Sequence, residues 1–345
     1  MSSGRDMGED IDTINELLVE RISWYPVAKK EFQDTIRSRG FLLLSLVFSV
    51  FFIMPAAGAL YLGLDLGPRL QKVETQLLIS TVYLNIVTVF VPIVTIFVGY
   101  AAIARERTSG SLKLLLSQPY TRRDVVIGKV AGRALVVAVP LALAFLLTGL
   151  FIVASELTFK PEMYGLFVLF STGFAVVFVS IAVSISGAVS TSFRSAVASV
   201  FVYFYFTFAW NSLANGLGNL LSNQLAVPDG VRWHVVLFTK LINPSQAYKT
   251  LMNSMLGDGA NAARSARYGM FSQDPQQMRT ICTGLLNGNA TIQRGLLGNR
   301  TVCAEPAAGT GIPAYFSDPA VFLYLLLWIG VAATISYYTF DRFDL

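Results

Sequence analysis

Six stretches of this chain run for about twenty residues or more without a single Asp, Glu, Lys, Arg or His. A bilayer core about 30 Å thick is crossed by roughly 20 residues of α-helix, so each stretch can span a membrane. The chain is 54% hydrophobic and only 14% charged, whereas soluble domains carry about 25% charged residues. The sequence therefore predicts an all-α membrane protein with six transmembrane helices. The predicted spans are residues 41–64, 75–104, 134–155, 163–193, 195–221 and 319–340.

The loops between these spans differ in positive charge. Loop 105–133 holds seven Lys and Arg residues, and four more (Lys29, Lys30, Arg37 and Arg39) precede the first span. The loops after the first and third spans hold only two and one. Because cytoplasmic loops carry the excess of Lys and Arg, both termini are expected in the cytoplasm. The long segment 222–317 is then expected to be a large external insertion between the fifth and sixth helices.

The residues that are missing from the six cores limit the possible functions. Transporters driven by ions place ionisable side chains within their spans, and none occurs in these six. The single histidine, His234, lies outside them, which disfavours intramembrane hydrolysis with a histidine base and a metal site in the membrane. No phosphate-binding loop of the G-x-x-x-x-G-K-[ST] type is present, so work against a gradient requires an energy-supplying partner. No basic stripe interleaved with aromatic residues suggests nucleic-acid binding.

The basic loop after the second span contains a short leucine-rich segment. Ser109 or Ser111 is predicted to cap a short helix that Pro119 ends. Thr121 and Asp124 have the spacing of a capping box at the start of the next helix. Leucines exposed in such a charged loop need either a protein groove or the membrane surface to cover them. The residues of the loop do not decide between these two partners.

Several short motifs in this loop and beside it are typical of one family. The motifs are Arg105-Glu106-Arg107, Ser109-Gly110-Ser111-Leu112, Leu114-Leu115-Leu116, Pro119, Arg122-Arg123-Asp124, Gly128-Lys129, Lys30-Glu31-Phe32, Arg37-Ser38-Arg39, Leu241-Ile242-Asn243-Pro244 and the ending 340–345. From about residue 26 onward, apart from the external insertion, the chain resembles the type-2 ABC transporter permeases, in particular their NosY-like branch.

This resemblance implies a coupling helix in loop 105–133 that docks on a separate ATPase subunit. Segment 11–39, with apolar residues at helical spacing, would be the family's interfacial connecting helix. The family works as two permeases, here expected to be a homodimer, with two ATPase subunits that bind ATP and Mg, so this chain would carry no cofactor or catalytic site. The cell membrane is the expected location. The residues implied to contact the ATPase are Arg105, Glu106, Arg107, Ser109, Gly110, Leu112, Leu115 and Leu116.

Two predicted spans carry polar residues on one helical face. They are Thr81, Asn85, Thr88 and Thr95 in the second span, and Tyr203, Thr207 and Asn211 in the fifth. In the resembled family these helices bound the translocation path. Small polar residues also serve as helix-packing seams, and for these two spans both interpretations stay open. Packing is favoured for Ser180, Ser184 and Gly187 in the fourth span.

The predicted domains are a cytoplasmic tail and connecting helix (1–40), five spans with the coupling loop (41–221), an extracellular segment (222–317), and the last span with a short tail (318–345).

Asn243 followed by Pro244 predicts a capped helix that ends near residue 256. Cys282 and Cys303 share the external segment, which favours a disulfide over two separate thiols. Asn289 and Asn299 match the glycosylation pattern. No metal-ligand set is apparent.

The leading hypothesis is the permease subunit of an ATP-driven exporter for a hydrophobic, amphipathic or lipid-linked substrate. Within the same family, an alternative is a NosY-like subunit that supplies copper or a sulfur species to an external metalloenzyme. A third possibility, from another class, is a non-transporting membrane sensor or scaffold. An ATPase that co-purifies with the chain separates the first two hypotheses from the third.

Overall fold

The computed structural model describes residues 16–63, 79–111, 117, 120–155, 157, 159–256, 276, 279, 281–282, 290–295, 298–303 and 313–342, with the backbone only at 81, 290–295, 298–303 and 340–342. The helices are α1 Tyr25–Ile36, α2 Arg39–Gly63, α3 Leu84–Gly99, α4 Ala104–Ser109, α5 Arg122–Ala154, α6 Pro161–Ala188, α7 Ser192–Phe204, α8 Trp210–Asn223, α9 Asp229–Ile242, α10 Pro244–Leu256 and α11 Asp318–Arg342. A π-helical turn, Ile79–Tyr83, precedes α3, and another, Tyr205–Ala209, joins α7 to α8.

Within the described residues, six helical segments are long and apolar enough to span a membrane. They correspond to the six predicted spans and confirm the all-α membrane fold. The clearest difference is α5, which begins at Arg122, twelve residues before the predicted span 134–155. The predicted capping box explains that start: Thr121 accepts the Asp124 amide while the Asp124 carboxylate accepts the Thr121 amide. The helix thus extends beyond its predicted apolar span by about three capped turns, which carry its charged residues.

Helix α6 lies at the centre of the bundle and packs against α3, α5, α10 and α11. Ser184 Oγ donates to the Ala332 carbonyl of α11, and Gly187 lies against Ser336 of the same helix. These contacts confirm the predicted packing role of the small residues in the fourth span. Small side chains let the two backbones approach closely, as in other membrane helix pairs.

The ends of the bundle differ in character. Helices α1 and α4 and the first three turns of α5 lie together at one end, called the basic end below. Helix α6 starts at the other end, called the opposite end, and finishes at the basic end, where a short break at residues 189–191 leads into α7. The break between the predicted spans 163–193 and 195–221 therefore lies a few residues before Arg194, which is within α7.

Helices α9 and α10 form a re-entrant hairpin that corrects the prediction of one external segment over 222–317. The hairpin starts at the opposite end, and its turn at Asn243 lies deep within the bundle. Trp328 Nε1, ten residues into α11, donates to the Ile242 carbonyl at 2.7 Å, and Asn243 Nδ2 donates to the Phe206 carbonyl at 2.7 Å. At 1.5 Å per residue, Trp328 lies about 15 Å from the start of its helix.

The returning helix α10 is buried along one side. The ring of Tyr248 is fully buried, stacks on Phe174 with centroids 4.6 Å apart, and shares a 2.6 Å hydrogen bond with Ser171 of α6. The amide oxygen of Asn243 accepts the amide of Ser245 at 2.8 Å, which confirms the predicted cap and the predicted helix up to Leu256.

The hairpin also buries Lys240, so the bundle does contain an ionisable residue between its spans. Sequence reasoning missed this because Lys240 lies outside the six apolar stretches.

Part of the remaining insertion forms a hairpin of strands β1 Ala290–Gly295 and β2 Gly298–Cys303, paired antiparallel. The sequence analysis predicted a large insertion there without assigning strands to it. Cys282 is fully buried and disulfide-bonded. The side chains of Cys303 and Asn299, and all of Asn289, lie outside the described residues. The specific pairing of Cys282 with Cys303 and the use of the two glycosylation sites therefore stay predictions.

Candidate functional site: a buried ion-pair cluster at the basic end

Four charged side chains from three helices meet at the basic end. The Lys129 ammonium of α5 is fully buried and lies 2.7 Å from a carboxylate oxygen of Glu31 in α1 and 2.7 Å from one of Glu106 in α4. Arg133, one turn along α5, lies 2.9 Å from the second oxygen of Glu31. These four residues form the ion-pair cluster. A buried lysine requires such partners, because the desolvation of an unpaired ammonium is very costly.

The cluster also fixes the ionisation of Glu31. Burial alone would raise the pKa of Glu31, but the Lys129 ammonium and the Arg133 guanidinium outweigh it and lower the pKa below the ordinary value. A carboxylate with a lowered pKa in the folded state stabilises that state above its ordinary pKa. This stabilisation is present at neutral pH and is lost as the pH falls through the lowered pKa.

Helix α1 packs closely on α5 at two glycines. A Cβ added to Gly128 would lie 2.6 Å from the Cβ of Val27, and one added to Gly132 would lie 2.6 Å from the Cβ of Glu31. Real Cβ atoms do not approach so closely, so only glycine permits this separation. The spacing of four residues places both glycines on the same face of α5. The close approach brings Glu31 within reach of Lys129.

Helices α4 and α6 cap each other beside the cluster. The hydroxyl of Ser186 in α6 accepts the amides of Ile103 and Ala104 at the start of α4, both at 3.0 Å. In return, Arg107 of α4 donates to the carbonyls of Val189 and Gly187 at the end of α6, at 2.8 and 3.1 Å. Both contacts satisfy backbone groups that helix ends otherwise leave unpaired. Helix α4 is therefore fixed to α6 by these caps and to α5 by Glu106.

The residues implied to contact an ATPase fall into three groups. Arg105 and Ser109 are exposed, and Gly110 follows Ser109 in the left-handed conformation (φ +75°), which favours glycine. Glu106 and Arg107 instead bind within the chain, as described above. Leu112, Leu115 and Leu116 lie outside the described residues. Ser109 is the last residue of α4, and residues 112–116, the segment that Ser109 or Ser111 was expected to cap, lie outside the described residues, so that expectation stays a prediction.

The residues predicted to line the translocation path differ in burial, and three of them are buried in the bundle. Thr88 and Thr95 are buried in α3 and donate to their own helix, at the Leu84 and Pro92 carbonyls. Tyr203 is buried and donates to the Val89 carbonyl of α3 at 3.2 Å. These three contacts favour helix packing within one chain.

Two residues of the predicted path are exposed. They are Asn85, which accepts a hydrogen bond from Lys249 at 3.0 Å, and Asn211. Thr207 is half-buried, and the side chain of Thr81 lies outside the described residues. Within the predicted path, Asn85 and Asn211 are therefore the side chains most available to a substrate or to a second copy.

A six-span bundle with a re-entrant hairpin and a short helix fixed at its basic end defines a multi-pass membrane protein. Residues 25–345 match the model of the ABC-2 family transporter proteins, and the chain belongs to that family. It is also 28% identical, over 158 residues, to the probable ABC transporter permease protein NosY of Stutzerimonas stutzeri. That match covers 45% of this chain and 55% of the relative, so the chain spans about half the length of that protein.

Family membership identifies the class of protein: the chain is a multi-pass membrane protein of the ABC-2 transporter family. The resemblance drawn from the loop motifs is thereby confirmed.

Sequence reasoning noted Gly128-Lys129 and Lys30-Glu31 as motif pieces but missed that they meet. Two glycines four residues apart, next to a lysine and before an apolar span, were the available signal for a close helix contact. The partner helix could not be deduced, because Glu31 and Lys129 are 98 residues apart.

Proposed function

We propose that this chain is the permease subunit of an ATP-driven exporter, in which ATP hydrolysis by a separate ATPase subunit moves a hydrophobic, amphipathic or lipid-linked molecule across the membrane. The observation that carries this proposal is the ion-pair cluster. It links α4, next to the predicted ATPase-binding segment, with α1 and α5. A displacement of α4 therefore acts directly on α5 through Glu106 and Lys129.

The mutual caps of α4 and α6 add a second connection. Because Arg107 and Ser186 hold α4 against the end of the central helix, motion at the predicted coupling segment would reach the core of the bundle. Rigid helices joined by charged and hydrogen-bonded contacts are suited to such transmission. The basic end is proposed to be cytoplasmic, in line with its excess of Lys and Arg. A second copy of this chain and two ATPase copies would complete the transporter.

The ATPase contact is tested by co-purification with charge reversal on the exposed part of α4. Arg105→Glu is expected to reduce the amount of ATPase subunit retained by the affinity-purified permease by about tenfold, because an interface charge that is reversed repels its former partner. Leu115→Asp is expected to do the same if that leucine enters an ATPase groove. The ratio of ATPase to permease is measured on stained gels after purification.

Arg37→Glu serves as the matched control. Arg37 is exposed at the basic end but lies outside the predicted coupling segment, and its reversal should leave the ratio unchanged. If Arg105→Glu and Leu115→Asp both retain the ATPase fully, loop 105–133 is not the contact. A chain that purifies without any ATPase would instead favour a membrane sensor or scaffold.

The translocation path is tested at Asn85. Asn85→Leu is expected to reduce substrate-stimulated ATP hydrolysis of the reconstituted complex at least fivefold, because it removes an exposed amide within the membrane region. Thr88→Val, one turn away, should have little effect, since the Thr88 hydroxyl only bonds its own helix. Equal activity of Asn85→Leu and wild type, with the ATPase still bound, would remove Asn85 from the path.

The match to a NosY permease favours a second candidate, in which the transporter supplies copper or a sulfur species to an external metalloenzyme. Among the described residues, no group of three or more His, Cys, Asp and Glu side chains could hold a metal ion. A small sulfur-containing anion is therefore the more suitable cargo within this alternative. Stimulation of ATP hydrolysis by amphiphiles supports the exporter, and stimulation by thiosulfate or copper supports the alternative.

A further inference from the structure

The re-entrant helix α10 carries polar side chains along one of its faces. Gln246, Lys249, Thr250 and Asn253 occupy positions i, i+3, i+4 and i+7, which lie on a single face of an α-helix. These four residues are called the polar stripe. Tyr248 lies off this face and is buried against α6. A helix in the membrane region that is polar along one face must direct it toward water, protein or a ligand.

Two members of the polar stripe have buried polar atoms without a partner in the described part of the chain. The Thr250 side chain is fully buried, and its hydroxyl makes no hydrogen bond. The side-chain oxygen of Gln246 is also buried without a partner. A buried polar group without a hydrogen bond destabilises the folded chain, so two such groups on adjacent turns of one helix call for an explanation. A ligand that supplies the missing hydrogen bonds is one such reason.

Lys249 gives the stripe a positive charge. Its ammonium is only half-buried and donates to the Asn85 amide oxygen of α3 at 3.0 Å. No carboxylate among the described residues forms an ion pair with Lys249. This differs from Lys129 at the basic end, whose ammonium is buried between two carboxylates. A lysine at membrane depth with only a neutral partner is attractive to an anion.

We infer that the polar stripe and Asn85 form a binding site for the anionic headgroup of an amphipathic substrate, with Lys249 as the charge that recognises a phosphate or a carboxylate. This inference rests on the proposed exporter function and names its substrate class. The apolar surfaces of the neighbouring helices would hold the tail of the molecule. The Asn85 amide would position the ammonium and can donate a hydrogen bond to the same headgroup.

The site is tested by binding, which requires neither ATP nor the ATPase subunit. The purified full chain, in nanodiscs of zwitterionic phosphatidylcholine, is titrated with dodecyl phosphate, dodecanoate, dodecylphosphocholine or inorganic phosphate. Lys249→Gln is expected to weaken dodecyl phosphate binding at least tenfold and to leave dodecylphosphocholine unchanged. Lys249→Arg should retain most of the affinity, because it keeps the charge.

Lys160→Gln is the matched control, since Lys160 is a cation at the opposite end of the bundle but outside the stripe. If it reduces binding as much as Lys249→Gln, the attraction is general and the site is refuted. Asn85→Asp provides an independent variant: it places a carboxylate beside Lys249, and anion binding should fall by a similar factor. Unchanged binding in both Lys249→Gln and Asn85→Asp would also overturn the inference.

Inorganic phosphate, which has no tail, and dodecanoate, which has a different headgroup, show which part of the amphipathic molecule is recognised. Binding of inorganic phosphate as tight as that of dodecyl phosphate would contradict an amphipathic substrate, and a preference between dodecyl phosphate and dodecanoate would give the headgroup. Failure of the binding test with a normally retained ATPase would remove the inference and leave the exporter proposal intact. Loss of ATPase association with intact anion binding would do the reverse.

Discussion

Lys129→Met is expected to lower the free energy of unfolding by about 3 kcal/mol, the lower end of the range for breaking a buried ion pair. The substitution keeps the length and most of the volume of the side chain but removes its charge. Glu31 would then retain only Arg133 as a partner, and Glu106 would lose its ion pair at Lys129. Since both carboxylates keep some contact with water, a larger loss is not expected. The effect is measured as the shift in SDS-induced unfolding, followed by tryptophan fluorescence.

Two further variants separate the effect of losing the Lys129 charge from the effect of changing how its side chain packs. Arg133→Met should cost less than half as much, because the Arg133 side chain is 25% exposed and binds one carboxylate only. The triple variant Glu31→Gln, Glu106→Gln, Lys129→Met should recover part of the lost stability, since of the four charges only that of Arg133, whose side chain is 25% exposed, then lacks a carboxylate partner. If Lys129→Met unfolds like the wild type, the cluster is not a stabilising contact and its proposed role in coupling is removed as well.

Asn243→Leu is expected to lower the free energy of unfolding by about 2–4 kcal/mol, since the one side chain performs two tasks. Its amide oxygen caps α10 by accepting the amides of Ser245 and Gln246 at 2.8 and 3.2 Å. Its amide nitrogen donates to the carbonyl of Phe206, which lies in a π-helical turn where the regular ladder of helix hydrogen bonds is interrupted. A leucine at this position can neither accept the amides at the start of α10 nor donate to Phe206. The carbonyl of Phe206 would then be buried without a hydrogen-bond donor.

Asn243→Ser divides the two contributions. Serine can still cap α10 but cannot reach Phe206, so about half of the loss should remain. Asn211→Leu is the control for placing an additional leucine in the membrane region, because Asn211 is exposed, and it should be nearly neutral. Unfolding is measured in the same SDS titration. An Asn243→Leu variant as stable as the wild type would show that the turn of the hairpin does not depend on this residue.

Features encoded within one segment were predictable. The capping box at Thr121 and Asp124 and the cap at Asn243 both depend on residues within a few positions of each other. Local backbone groups at a helix end must be satisfied by nearby side chains, so spacing alone reveals them. The role of the polar face of the second span could not be predicted. A helical period shows that residues share a face but does not show what that face contacts.

The candidate sites depended on contacts between distant segments. Glu31 and Lys129 are separated by 98 positions and Asn85 and Lys249 by 164, and no local rule connects such pairs. The re-entrant hairpin was mistaken for external chain for a related reason. Its two helices contain Lys240 and Lys249 and are each too short to cross a bilayer. A hydropathy pattern rejects them, although the surrounding helices supply the partners that permit their burial.

The sequence by itself determined the membrane fold, the number of spans, the caps at Thr121 and Asn243 and the family, because apolar length and local hydrogen bonding are properties of single segments. Only the tertiary structure decided which charges are buried together, which polar residues pack within one chain, and where Lys249 is left with a neutral partner. The physical reason is that the cost of burying a charge or an amide depends on what surrounds it, and helix packing alone sets those surroundings.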